Sequence, residues 1–267
     1  MEKSLTVSIY GITESRFLEL WSSGFTPSIY DQETKIILTI PPEQESAVDE
    51  LARFAEQHGL DYFIFFQAYD FTADDRKEAP LLVAAAGTLP GAIHIVEGDP
   101  TRRTHCPVCE SITVHLDTSV NRIKCKAKRK PAGLITSDED GLLLFHREIL
   151  SEIRNAGYAK GLETMPCEIT FGKEVDENYF WPYSHIAVGA PSGNIVYDHC
   201  SACATPIVKH RRDFVTHYSR SKWAENDFAV TDSPDSLLIS QRVFKLLQEK
   251  VPSKAFSKLT FTPCMLD

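Results

Sequence analysis

The chain has 267 residues, 43% hydrophobic and 24% charged, and this balance is typical of folded globular proteins and excludes extended disorder. A formal net charge of −9 argues against a function that depends on gripping a phosphate backbone, because Lys and Arg carry such binding. No apolar run approaches the roughly 18 residues that span a bilayer, and the start of the chain lacks a signal-peptide core. We therefore expect a cytoplasmic protein.

Residues 1–100 predict an N-terminal α+β domain. The segment 4–12 alternates apolar with polar side chains, as a half-buried strand does. Apolar residues then recur at helical spacing between the prolines at 41–42 and Gly59, which is suited to end that helix in the left-handed conformation. The turn-forming residues 97–100 mark the domain boundary. Further strands are predicted at 35–40, 62–66, 81–86 and 92–96, and an exposed loop at 72–80.

After residue 100 the sequence repeats itself at a spacing of about 95 residues. HCPVC at 105–109 matches HCSAC at 199–203, residues 136–147 match 231–242, and Pro-Cys at 166–167 matches Pro-Cys at 263–264. These matches predict a second domain, 101–267, with repeats at about 105–171 and 199–267. Each repeat is predicted to contain a Cys-x-x-Cys knuckle, a strand, a helix and a closing strand. The helices are marked by Ile149, Leu150 and Ile153, and by Val243, Phe244, Leu246 and Leu247.

The two knuckles predict a metal site. A Cys-x-x-Cys turn presents two thiolates from one tight loop, and structural zinc takes four ligands in a tetrahedron. Equivalent knuckles in two repeats would face one another, so we expect one structural Zn²⁺, although the long spacing leaves metal-free reduced thiols or disulfides as alternatives. The predicted fold class is α+β: an N-terminal α+β domain and an internally duplicated α+β domain joined by a zinc-ribbon-like four-cysteine site. Its ligands are Cys106, Cys109, Cys200 and Cys203.

The remaining sulfur and imidazole groups have simpler interpretations. Cys167 and Cys264 lie in apolar segments and are expected to pack as small hydrophobes, and Cys125 is regarded as incidental. His105 and His199 adjoin the first cysteine of each knuckle and are expected at the surface or beside the ligands. Four thiolates leave no open metal position, and no catalytic motif is present, so no enzymatic activity is predicted.

Residues from about 105 to 267 resemble the double-CXXCG-motif proteins of myxobacteria. The resemblance is carried by HCPVC and HCSAC, by GLLLFHREILSEIRNAGYAKGLETMPCEITF, and by DSLLISQRVFKLLQEKVPSKAFSKLTFTPC. That paralogous family includes immunity proteins, which guard a cell against toxins that it delivers to its neighbours. The resemblance implies a protein that binds and neutralises a cognate toxin delivered by contact or by type VI secretion. This chain departs from the family at Glu110 and Ala204, where a glycine should follow each knuckle.

An acidic balance suits a basic toxin such as a nuclease, because carboxylates mimic phosphates and steer association. The alternative is a zinc-ribbon nucleic-acid-binding or regulatory module, for which the basic segments 124–130 and 209–212 would be the contacts. The candidate toxin contacts are Asp70, Asp74, Asp75 and Glu78, and the acidic strip Asp138, Glu139 and Asp140.

Overall fold

The computed structural model places most of its regular structure in strands, with seven helices among the described residues. These residues are 2–21, 28–32, 35–40, 44, 46–86, 93–128, 130–131, 133–137, 142–193, 195–211, 215–231, 236–257 and 259–267. The predicted mixed α+β class is confirmed. None of the helices in these ranges has the length and apolar character that crossing a membrane requires.

The elements follow one another with short connections. The helices are α1 (Glu14–Leu20), α2 (Ser46–Gln57), α3 (Ala73–Glu78), α4 (Arg147–Asn155), α5 (Arg220–Trp223), α6 (Gln241–Lys250) and α7 (Ser253–Phe256). The strands are β1 (Glu2–Tyr10), β2 (Ser28–Gln32), β3 (Lys35–Ile40), β4 (Tyr62–Asp70), β5 (Leu81–Ala86), β6 (Ile93–Glu97), β7 (Thr101–His105), β8 (Ile112–Leu116), β9 (Ile123–Ala127), β10 (Ile135–Ser137), β11 (Leu143–His146), β12 (Glu163–Phe171), β13 (Glu174–Tyr183), β14 (Ile195–His199), β15 (Pro206–Arg211), β16 (Thr216–Tyr218), β17 (Phe228–Val230), β18 (Leu237–Ser240) and β19 (Leu259–Leu266).

The chain divides into two compact units. Unit 1 comprises Met1–Thr72 and Gly193–Thr216, and unit 2 comprises Ala73–Ser192 and His217–Asp267. This division differs from the predicted boundary near residue 100. One physical reason is β5, which pairs with β18 and β19 and so belongs to the sheet of a segment far along the chain. The other is β15, which pairs with β4, so residues 193–216 of the predicted second domain belong to unit 1.

Unit 1 contains a six-stranded sheet in the order β14-β15-β4-β1-β3-β2. Strand β1 pairs antiparallel with both β3 and β4, and its alternate residues Val7 and Ile9 are buried. They share a core with the apolar side of α2, where Val48, Leu51 and Phe54 are buried as predicted. Gly59 has the positive φ, 62°, that the helix end requires.

Unit 2 contains a six-stranded sheet, β10-β11-β13-β12-β9-β6, a five-stranded sheet, β16-β19-β5-β18-β17, and the separate hairpin β7-β8. Helices α4 and α6 share one core cluster with strands of both large sheets. The apolar positions predicted for these helices are buried, except Leu246, which is partly buried against the same cluster. The stretch 72–80 is not the predicted loop, because α3 forms within it.

In the six-stranded sheet of unit 2, β13 is a central strand between β11 and β12, antiparallel to both. Its Tyr179 lies opposite His146 at the end of β11 and opposite Cys167 of β12. His146 is also the N-cap of α4, and its Nδ1 accepts a hydrogen bond from the backbone N–H of Glu148 at 3.3 Å. The segment β11–α4–β12 thus places its two strands on either side of β13.

The five-stranded sheet of unit 2 has the same arrangement around its central strand β5. Leu81 lies opposite Ser240 at the end of β18 and opposite Cys264 of β19, and both pairings are antiparallel. Ser240 is the N-cap of α6, and its hydroxyl accepts from the backbone N–H of Val243. The central strands nevertheless come from different places, since β13 directly follows β12 whereas β5 precedes the first knuckle.

Candidate metal centre

The first knuckle is the turn of the β7-β8 hairpin. The N–H of Cys106 donates to the carbonyl of Ser111 at 3.0 Å, which continues the hairpin pairing past His105. The N–H of Glu110 donates back to the carbonyl of Cys106 at 2.9 Å, which closes the turn around the two cysteines. Glu110 has a φ of 57°, in the left-handed region. The segment is therefore a tight loop held at its base by strand pairing.

The second knuckle connects β14 and β15 and has the same backbone hydrogen bonds. The N–H of Cys200 donates to the carbonyl of Thr205 at 3.1 Å, and the N–H of Ala204 donates to the carbonyl of Cys200 at 2.8 Å. Ala204 has the same φ, 57°. Both knuckles thus form with a non-glycine residue in the left-handed conformation, at a steric cost of about 1 kcal/mol.

The four knuckle cysteines lie together. Their Sγ atoms are all within 4.8 Å of one another, and none of the four cysteines forms a disulfide. A tetrahedral ion with metal–sulfur bonds near 2.3 Å needs sulfurs about 3.8 Å apart, so small side-chain movements suffice to close the site. An all-sulfur donor set suits soft and borderline ions. The grouping predicted from the sequence is confirmed as four cysteines close enough to hold a metal ion.

Burial distinguishes the two cysteines of each knuckle. Cys106 and Cys200 retain only 7% and 6% of their exposure. Cys109 is half-buried, and Cys203 is exposed. The second cysteine of each pair is therefore the one that water and solutes reach most easily.

Each of these second cysteines contacts a hydroxyl. Cys109 Sγ lies 2.9 Å from Ser111 Oγ, and Cys203 Sγ lies 3.1 Å from Thr205 Oγ1. Sequence reasoning missed both hydroxyl residues. The signal that reveals them is a hydroxyl-bearing residue two positions after the second cysteine, present in both knuckles.

The other sequence-predicted residues lie apart from this cluster or play no ligand role. His105 and His199 end β7 and β14 and are exposed, as expected. Cys264 is fully buried, and Cys125 and Cys167 are buried with their Sγ atoms 3.3 Å apart. The prediction of core packing for Cys167 and Cys264 is confirmed.

The acidic candidate contacts are only partly brought together. Asp74 and Glu78 lie one turn apart on exposed positions of α3, Asp75 is half-buried, and Lys77 pairs with Asp74 at 3.1 Å. Asp70 ends β4, but its side chain lies outside the described residues. Asp138, Glu139 and Asp140 lie wholly outside them.

The sequence matches no protein-family model. A search of curated proteins finds no similar sequence. The case for a function therefore depends on the residues of this chain.

Proposed function

We propose that this chain is a non-catalytic binding protein whose knuckles hold one structural Zn²⁺, and that its partner is a cognate bacterial toxin. The observation that carries the first part is the closeness of four thiols, since four thiolates saturate a tetrahedral ion. A catalytic zinc would need a position open to water or substrate. The chemistry of the site thus favours stabilisation of the fold.

The toxin partner is supported by the motifs at the knuckles and at the two strand–helix segments, which resemble immunity proteins. The formal charge of −9 suits a basic partner such as a nuclease. The exposed carboxylate of Glu78, and that of Asp74 beside its ion-pair partner Lys77, lie where such a contact could form. Binding would neutralise the toxin by covering its active surface.

An internal duplication is supported by the matching details of the two halves. The two knuckles have the same pattern of backbone hydrogen bonds. In each half, one residue of the central strand lies opposite both the N-cap residue of the helix and the cysteine of the closing strand. His146 corresponds to Ser240 in this comparison, whereas the ungapped sequence match pairs it with Gln241. If the first copy begins with β5 and the second with β13, each of these strands pairs with strands of the other copy. Strand β5 then completes the sheet of β18 and β19, and β13 completes the sheet of β11 and β12.

Co-expression with the toxin encoded beside the gene for this chain tests the proposal. We expect restored growth and a complex that survives gel filtration. The charge-reversing pair Asp74→Lys and Glu78→Lys should slow association, whereas Glu249→Lys, at a side chain that is 73% exposed, is the matched control. Failure of both rescue and complex formation would remove the immunity function.

The nucleic-acid alternative depends on the basic segments 124–130 and 209–212. Lys126 and Lys128 are exposed in the first, and the side chains of the second lie outside the described residues. The neighbouring cations of the first segment are engaged with carboxylates: Lys124 with Glu97 at 2.7 Å and Lys130 with Glu174 at 4.0 Å. Such pairing leaves less positive charge for a phosphate backbone. Strong, salt-dependent retention of the purified protein on nucleic acid would favour this alternative.

A further inference from the structure

Ser111 and Thr205 each connect to both cysteines of their own knuckle. Through its carbonyl, each accepts the N–H of the first cysteine, at 3.0 Å for Ser111 and 3.1 Å for Thr205. Through its hydroxyl, each contacts the sulfur of the second cysteine. The backbone hydrogen bond shapes the turn, and the hydroxyl interacts with the sulfur.

The direction of the hydroxyl–sulfur bond is fixed once a metal is bound. A metal-bound cysteine is a thiolate, which has no hydrogen to donate, whereas a Ser or Thr hydroxyl offers one O–H donor. The hydroxyl must then donate to the sulfur, and a bond to a charged acceptor is stronger than one between neutral groups. At 2.9 Å, either Cys109 Sγ or Ser111 Oγ can be the donor. At 3.1 Å, the Cys203 thiol donates to Thr205 Oγ1, so the Thr205 hydroxyl changes from acceptor to donor when that thiol loses its proton to the metal.

We propose that Ser111 and Thr205 are positioning residues of the metal centre, whose hydroxyls donate to the metal-bound thiolates of Cys109 and Cys203 and slow metal loss. This inference rests on the proposed structural metal site. Drawing charge from a thiolate makes it less reactive toward acids and electrophiles. The two hydroxyls protect the more exposed sulfur of each knuckle, where attack would begin.

The sulfur of Cys200 has a different contact. Cys200 Sγ accepts a backbone N–H from Ala202 at 3.4 Å, and both first cysteines are shielded from water. Among substitutions, only proline removes a backbone donor. The sulfurs of Cys109 and Cys203 contact a side-chain hydroxyl, which a substitution can delete while the carbonyl that shapes the turn remains.

The test uses the full chain with Ser111→Ala, Thr205→Val and the double variant. Thr104→Val, which removes an exposed hydroxyl from β7 of the same hairpin, is the matched control. Release of Zn²⁺ to a chromogenic chelator is timed, and the Co²⁺-loaded proteins are compared by absorption. We expect about 10-fold faster release from the double variant, because loss of outer-shell partners typically weakens metal sites by 10–100-fold.

The Co²⁺ spectra separate a bonding role from a structural one. Loss of O–H···S bonds should move the thiolate-to-cobalt charge-transfer bands, while the ligand-field bands of the tetrahedral ion stay in place. Ser111→Thr and Thr205→Ser keep the hydroxyl and should restore the wild-type release rate. They also serve as the folded comparison if either deletion impairs folding.

The outcomes are distinct. If the double variant releases Zn²⁺ at the wild-type rate with unchanged charge-transfer bands, the hydroxyl inference is wrong and the metal site stands. If the wild-type chain binds no stoichiometric Zn²⁺ or Co²⁺, the metal site and the inference both fall.

Discussion

Glu110 and Ala204 have the same backbone conformation, with a φ of 57° at each, although one is acidic and the other is a single methyl group. What the two residues have in common is that each directly follows the second cysteine of its knuckle. Turn geometry, rather than side-chain chemistry, therefore imposes this conformation.

Replacement of Ala204 by Gly should stabilise the folded chain by about 1 kcal/mol, because glycine enters the left-handed region without a Cβ clash. The measurement is the free energy of unfolding from denaturant titration of the metal-loaded protein. Ala202→Gly is the matched control, since Ala202 is in the same turn without a positive φ, and it should be neutral or destabilising. A loss of stability in Ala204→Gly would contradict the strain argument.

Replacement of Cys200 by Ser should reduce bound Zn²⁺ from one ion per chain to less than stoichiometric amounts. Metal that binds only the folded state adds about 2.7 kcal/mol when its free concentration is a hundredfold above Kd. A chelator should therefore lower the melting temperature of the wild-type chain and leave that of Cys200→Ser unchanged. Cys264→Ala removes a buried thiol outside the cluster, so it should lose stability but keep its ion. Full metal content in Cys200→Ser would contradict the four-thiolate site.

Asp227 is a buried carboxylate that anchors the start of α6. It accepts from Ser240 Oγ at 2.9 Å and from the Arg242 guanidinium at 2.5 and 2.9 Å. Asp227→Ala should lower the free energy of unfolding by about 2 kcal/mol, because it removes the charged acceptor of the buried Ser240 hydroxyl, whereas Arg242 is half exposed and keeps its hydration. Lys250→Ala removes a partly exposed pair with Glu152 and should cost less than about 1 kcal/mol. Similar losses in the two variants would show that Asp227 has no special role.

Asp117 follows β8 at the base of the hairpin that carries the first knuckle. Hydrogen bonds from the Ser119 hydroxyl and backbone N–H, followed by the nearby Arg102, lower the pKa of Asp117 below its usual 3.8. A carboxyl with a lowered pKa contributes stability above pH 3.8 and loses it as the pH falls through the folded-state value.

Carbon-13 NMR titration of the Asp117 carboxyl checks that lowered pKa. We expect Ser119→Ala to raise the pKa toward 3.8, because it removes the largest contribution. Thr118→Ala, on the exposed residue between them, should leave the titration unchanged. An unaltered pKa in Ser119→Ala would refute the assigned cause.

Features that depend on residues close together in the sequence were predicted correctly from local sequence patterns. The apolar spacing of Ile149, Leu150 and Ile153 specifies one face of α4, and that face is buried. The four-cysteine cluster was also predictable, because each Cys-x-x-Cys turn closes on itself and the repeat indicated that the two would meet.

Non-local contacts account for what was missed. Helix α3 has no buried residue and no apolar period, but Arg76 donates to the carbonyl of Phe261 and its own carbonyl accepts from Gln241 Nε2. The apolar run of β5 predicted a strand but not its partners. Nothing near residue 81 specifies that they lie in β18 and β19, so the boundary at residue 100 was placed too late for unit 2.

The position of β5 has a consequence during biosynthesis. A ribosome that adds about 5–20 residues per second makes β5 roughly ten to thirty seconds before β19, whose pairing completes the second sheet. For most of that interval, until β18 is made shortly before β19, the nascent sequence LLVAAA has neither of its neighbours. Slow elongation or early arrest of translation would therefore leave the apolar strand β5 unpaired, so that it could bind chaperones or aggregate.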